Sequence, residues 1–245
     1  MFIIVKNKTP KVTYTPIQEK IVAFEVQPEV SIQLFEEAKN NNKNSATLFA
    51  THILEEEKKI FSSKKTKAMF KEAIDCYQQF ILDIEIFPVS ADYDYTFEDS
   101  WGSERTYGGT RKHYGTDIMD PQNERGIIPI VSMSKGVVEN IGWNDKGGYR
   151  VGVRTKNGAY IYYAHLDKYA PKLKKGSKLQ AGDLIGYMGD SGYGEEGTVG
   201  EFPVHLHIGI ATKSFGDNEN WINPYYVLRY LEEKDMNPLE SGDIF

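Results

Sequence analysis

The stretch Val204-His205-Leu206-His207-Ile208-Gly209-Ile210 alternates imidazole or glycine with aliphatic side chains. Successive side chains of a β-strand point to opposite faces. His205, His207 and Gly209 therefore share one face, and Val204, Leu206 and Ile208 share the other. The pattern predicts a strand with its aliphatic face in a core and its histidine face on a site, Gly209 leaving room beside the rings. Upstream, His113 and Asp117 stand four apart in Lys112-His113-Tyr114-Gly115-Thr116-Asp117, and His165 lies alone in Tyr162-Tyr163-Ala164-His165-Leu166. These segments hold four of the five histidines of the chain. By strand parity His165 should share a face with Tyr163 and Ile161.

The surrounding sequence has the texture of a β-domain. Val137–Ile141, Tyr149–Val153, Tyr160–Tyr163 and Leu184–Met188 are short runs of strand-forming residues separated by turn signals. Asn157-Gly158, between the second and third, predicts a hairpin turn. Phe87-Pro88-Val89 marks the start of this texture. The residues before it read as helical. Pro28-Glu29 begins one candidate helix carrying Val30, Leu34 and Ala38 on one face. Ser45 caps a second, with Leu48, Phe49, Ile53 and Leu54. Phe70, Ile74, Tyr77 and Ile81 form the stripe of a third. The expected fold is thus α+β: a helical module over residues 1–86, then an all-β domain over 87–245. His52 has no partner at ligand spacing and reads as structural or surface. Cys76 reads as a small buried residue within the third stripe.

Composition narrows the function. At 245 residues with 40% hydrophobic and 13% aromatic content, the chain can build a proper core. The net charge of −6 and pI near 5.5 argue against a nucleic-acid partner, which demands clustered positive charge. A single cysteine excludes an internal disulfide and a thiolate-built metal site. The apolar run Met1–Val5 is too short for an export signal or a membrane span.

A catalytic zinc takes three protein ligands from histidine and carboxylate and keeps one position for water. His113, Asp117 and one of the paired histidines meet that count. Two histidines remain to move protons. The inventory is complete for amide hydrolysis. Alone, a His-x-x-x-Asp spacing or a His-x-His pair is a weak signal; together and in this order they point to one metal site.

The segments Thr106–Asp117, Tyr163–Leu166, and Gly189-Asp190-Ser191-Gly192 followed by Val204–His207 closely resemble the lysostaphin/LytM-type zinc metallopeptidases. Lys175–Gly186 looks like the hairpin signature of the same family. The resemblance covers roughly residues 88–225. It implies an antiparallel β-sheet with an open groove and one zinc at the groove floor, held by His113, Asp117 and His207. It assigns catalytic roles to His165 and His205, and places Tyr107 near the oxyanion. It implies the peptide part of bacterial peptidoglycan as substrate, and an extracellular or cell-wall location.

Two departures stand out. The approach to His205 runs through a longer loop, residues 193–203, expected to wall the groove. Asp120, just past the candidate ligand Asp117, is expected to face solvent. The segment Asp92–Asp99 reads either as a flank of the groove or as a linker. Competing functions are a non-enzymatic, zinc-binding regulator of other cell-wall hydrolases, and a peptidase acting on another substrate inside the cell. Retention of all five site positions favours the enzyme that cuts peptidoglycan.

Overall fold

The computed structural model of the chain describes residues 3–4, 83–107, 109–212 and 220–236. The early strands are β1 (Ile3–Ile4), β2 (Thr96–Phe97), β3 (Glu104–Arg105), β4 (Arg111–Lys112), β5 (Thr116–Met119) and β6 (Pro129–Val131). The long central ones are β7 (Gly136–Asn144), β8 (Gly148–Thr155) and β9 (Tyr160–Tyr169). After them come β10 (Lys178–Leu179), β11 (Leu184–Met188), β12 (His205–Thr212), β13 (Asn220–Ile222) and helix α1 (Tyr225–Met236).

Every strand pair is antiparallel, and the main sheet runs β1-β13-β12-β9-β8-β7-β10, with β5 also on β12 and β11 also on β9. The β8–β9 hairpin turns at Asn157-Gly158 as its sequence predicts, with Gly158 at a φ of 95°. All four predicted strand runs are strands, the first three longer than their apolar stretches.

Alternation decides what is buried. Leu206, Ile208 and Ile210 on β12 are fully buried, as are Ile118 on β5, Val151 and Val153 on β8, and Ile185 on β11. Burial of an aliphatic side chain contributes about 1.5–3 kcal/mol, so this shared core sets the register of β5, β12 and β9. The room at Gly209, expected beside the site, is occupied by an aromatic ring. A Cβ there would stand 2.5 Å from Cζ3 of Trp221.

The helical module expected over residues 1–86 lies outside the described residues, as do the stripes, Cys76 and His52 assigned to it, apart from two short pieces. Neither piece is helical. Ile3–Ile4 extends the sheet edge beside β13, and Ile84 bridges to Ser134 within the core. Asp83 accepts hydrogen bonds from the backbone and side-chain amides of Asn157, at 2.7 and 2.8 Å. Asp83 and Ile84, ahead of Phe87, therefore pack with the β-domain.

It is also not entirely β. The Asn223 side chain accepts from the Tyr225 amide at 3.0 Å, and Pro224 opens α1 at the position where a missing N–H costs nothing. Val227, Leu228 and Leu231 fall on one face and are buried.

Asp92–Asp99 is part of the sheet rather than a linker, with Thr96 opposite the groove-lining Met119. Thr96–Phe97 pairs with β5, and Tyr95 stacks on Phe87 with centroids 5.0 Å apart. Among the described residues no helix is long and apolar enough to cross a membrane.

Candidate active site

Strand β12 lies between β5 and β9, with His207 opposite Asp117 on one side and Ala164 on the other. The core face of β5 carries Ile118. Parity therefore turns Asp117 and Met119 to the opposite face, where His205 and His207 also project. That face floors a groove of about 500 Å³. Its walls are the β3–β4 hairpin, the β7–β8 turn and the loop of residues 193–203, through Tyr193, Phe202 and Pro203. The long loop thus walls the groove as its position suggested.

His113, Asp117 and His207 converge. His113 Nε2 stands 3.0 Å from Asp117 Oδ1 and 2.9 Å from His207 Nδ1, and His207 Nδ1 stands 2.9 Å from Asp117 Oδ1. On its far side His113 Nδ1 lies 3.1 Å from both the carbonyl and the hydroxyl oxygen of Ser100; donation from Nδ1 to the carbonyl would turn an Nε2 lone pair into the triangle. Burial holds His207 toward its neutral form. Burial alone would raise the Asp117 carboxyl, but the close imidazoles of His113, His207 and His205 hold it well below the usual carboxylate range. Its other oxygen, Oδ2, accepts from Arg105. Two imidazole nitrogens and a carboxylate oxygen thus aim electron pairs at one another within a triangle. A tetrahedral zinc with bonds of about 2.0–2.1 Å needs donor atoms of this chemistry at roughly 3.3 Å. The three residues fit such an ion.

His207 also depends on a close approach. A Cβ on Gly115 would lie 2.4 Å from His207 Cε1 and 2.5 Å from the Ile208 carbonyl oxygen. Gly115→Ala should therefore displace the His207 ring, lowering metal occupancy severalfold while the core stays folded. Metal analysis beside a thermal melt checks this; full occupancy would contradict it.

His165 and His205 line the same groove, ring centroids 4.7 Å apart. Each is oriented from behind: His165 Nδ1 donates to the Ser191 carbonyl at 2.8 Å and His205 Nδ1 to the Pro203 carbonyl at 2.7 Å. Their Nε2 lone pairs are left for the groove. Burial, aided for His165 by the neighbouring His205, depresses both basicities.

The parity expectation for His165 fails. Tyr163 and Ile161 are fully buried in the core, Tyr163 accepting from the Met133 amide at 2.8 Å. A register shift between Tyr149 and Val151 on β8, opposite Leu166 and Tyr163, puts one extra residue into β9. His165 takes it up at a φ of 61°. Such a bulge re-aims a side chain, here turning His165 to the groove beside Ala164.

Asp120 does not face solvent. It is buried and accepts from the Gln122 and Glu124 amides at 2.9 and 2.8 Å, closing the turn after β5.

Tyr107 lines the groove at 38% exposure and stacks on Tyr193, centroids 4.0 Å apart and planes 3° from parallel. Arg105 and Arg111 also line the groove and have no role in the sequence reading, whereas Tyr193 opens the loop expected to wall it. One signal was available: Arg111 precedes His113 by two, so an extended chain puts both on one face.

Fold and site together define a class: an antiparallel β-sheet protein with a candidate mononuclear metal centre in an open groove. Residues 111–224 match Peptidase family M23, and the chain belongs to that family. A structure from Ruminococcus gnavus, described as a candidate glycyl-glycine endopeptidase lytM, is 40% identical, with a TM-score of 0.65 over 91% of this chain and 92% of that one. The L-Ala–D-Glu endopeptidase of Bacillus subtilis is 40% identical over 163 residues, 66% of this chain and 48% of that protein. The glycyl-glycine endopeptidase ALE-1 of Staphylococcus capitis is 32% identical over 108 residues, 43% of this chain and 26% of that protein. The chain thus matches about half of the Bacillus relative and a quarter of the staphylococcal one.

Proposed function

We propose that the chain is a zinc metalloendopeptidase that hydrolyses amide bonds in the peptide part of bacterial peptidoglycan, acting at the cell wall. The observation that carries this reading is the triangle of His113, Asp117 and His207 with two further imidazoles turned into the same groove. His113, Asp117 and His207 would hold one zinc per chain. When bound, it would polarise the scissile carbonyl and acidify a water. His165 and His205 would accept a proton from that water and deliver one to the departing amine, as neutral rings with free Nε2 atoms. Arg105 would keep the second oxygen of Asp117 occupied, so that one oxygen alone faces the ion.

Among cell-wall amides, the bond between L-alanine and D-glutamate named for the Bacillus relative is the candidate target. Residues 87–245, with the few that precede them in the core, would carry the chemistry. Of residues 1–86, those other than Ile3–Ile4 and 83–86 would form a helical module that places or restricts substrate.

Tyr107 would donate its phenol to the developing oxyanion. Its partial exposure argues for the lower end of the effect of such donors, so Tyr107→Phe should lower kcat about a hundredfold with little change in KM. An equal loss spread over KM would instead assign Tyr107 to binding.

The reading itself is tested on purified sacculi. The protein should release soluble muropeptides, stop with a chelator, and resume when zinc is restored. Zinc-loaded protein that leaves sacculi intact while stimulating another hydrolase would support the regulator instead.

A further inference from the structure

The β3–β4 hairpin sets its charges in an unbalanced way. Its two rungs pair Glu104 with Lys112 and Arg105 with Arg111. The first rung is complementary, its charged ends 3.7 Å apart. The second places two guanidinium side chains directly opposite each other, an arrangement that is destabilising in a strand pair unless anions separate the charges. Both line the groove. Arg105 has its anion in Asp117. Among the described residues Arg111 has no carboxylate.

What Arg111 does have is a neutral support. Its Nη2 donates to the Tyr193 hydroxyl at 3.0 Å, while its Nε is buried without a partner. The Tyr193 ring meets the His165 ring edge-on at 6.1 Å, so the cation sits one side chain from the paired imidazoles. Lys146, on the exposed β7–β8 turn, adds a second cation to the groove and makes no ion pair among the described residues. The other carboxylate of the lining, Glu104, is engaged by Lys112. In a chain of net charge −6, this groove carries two uncommitted cations and no uncommitted acid.

We infer that Arg111, assisted by Lys146, binds the free carboxylate of an acidic residue adjacent to the scissile amide, and so determines specificity for acidic peptides. The inference rests on the peptidase reading above. A glutamyl residue within a peptide uses one carboxyl in the chain and keeps the other, unless that one is amidated. The guanidinium presents planar, forked donors that match such a carboxylate; an amide in its place offers one acceptor and no charge. The subsite would thus distinguish glutamate from its amidated form, two substrates of almost identical shape.

The test compares two synthetic stem peptides, one with D-glutamate beside the scissile bond and one with the free carboxyl converted to the amide. Zinc-loaded wild-type protein should cleave the acid with a kcat/KM at least about tenfold above the amide, the scale expected when a polar site loses its matching group. Arg111→Ala should bring that ratio close to one. Arg111→Lys, which preserves the charge and most of the packing, should leave an intermediate ratio. Lys146→Ala, on an exposed turn, should reduce the ratio severalfold even if Arg111→Ala proves unstable. Wild-type cleavage of both peptides at equal rates would overturn the inference and leave the peptidase reading standing. So would an unchanged ratio in folded Arg111 and Lys146 variants. Cleavage of neither peptide, nor of sacculi, would overturn both.

Discussion

Alanine in place of His113 or His207 is expected to leave the protein with less than about a tenth of its zinc and no measurable hydrolysis, since a three-ligand site reduced to two loses most of its affinity. The wild-type chain should bind one zinc. Each lost imidazole removes one corner of a triangle whose edges are 2.9–3.0 Å. Asp117→Ala should lose the metal as well, with a second effect that the histidine variants lack. Arg105 would be left in the groove without its carboxylate, and breaking a partly buried pair from one side costs more than the pair contributes. Asp117→Ala should therefore melt below the metal-free wild type, whereas His113→Ala should melt close to it. Metal analysis and thermal melts on the same samples read both quantities. Wild-type zinc content in the His113 or His207 variant would reject the ligand assignment.

Replacing His165 or His205 by alanine should give the opposite separation: zinc retained, and turnover lowered by about two to four orders of magnitude, the usual scale for a general acid or base. Both rings are fixed from behind by a backbone carbonyl, at 2.8 and 2.7 Å, so neither is free to replace a lost metal ligand. The double variant should fall little further than the worse single one if the two act on the same proton path. Steady-state rates on a soluble peptide, with zinc measured in parallel, decide the matter. If zinc leaves with either ring, the division between holding the metal and moving protons is drawn in the wrong place.

How much of this was legible in the sequence depends on how local the determinant is. The alternation of Val204–Ile210 gave both faces of β12, because strand parity is a property of the backbone alone. The same rule misassigned His165, because one extra residue in β9 inverts parity beyond it and is specified by pairing with β8. Asp120 looked like a surface acid until the turn that folds its carboxylate onto two amides was in view. Helix α1 carried its signal in Asn223-Pro224 and in the spacing of Val227, Leu228 and Leu231, but its brevity and the β-texture around it hid that signal. Arg111 carried a weak signal in its spacing from His113, but Arg105 could be recognised only once the hairpin had set the two opposite each other over the groove.

The position of β12 has a consequence for how the chain reaches this state. A slip of its pairing by one residue would turn Leu206 and Ile208 to water and drive both imidazoles into the apolar interior. A misregistered chain would also lack His207 opposite Asp117, and with it the triangle. Because an ion that binds only the native pairing stabilises it by mass action, the zinc proposed here would select register during folding. Refolding yield should then rise with free zinc, while the rate of strand slippage in the native protein falls.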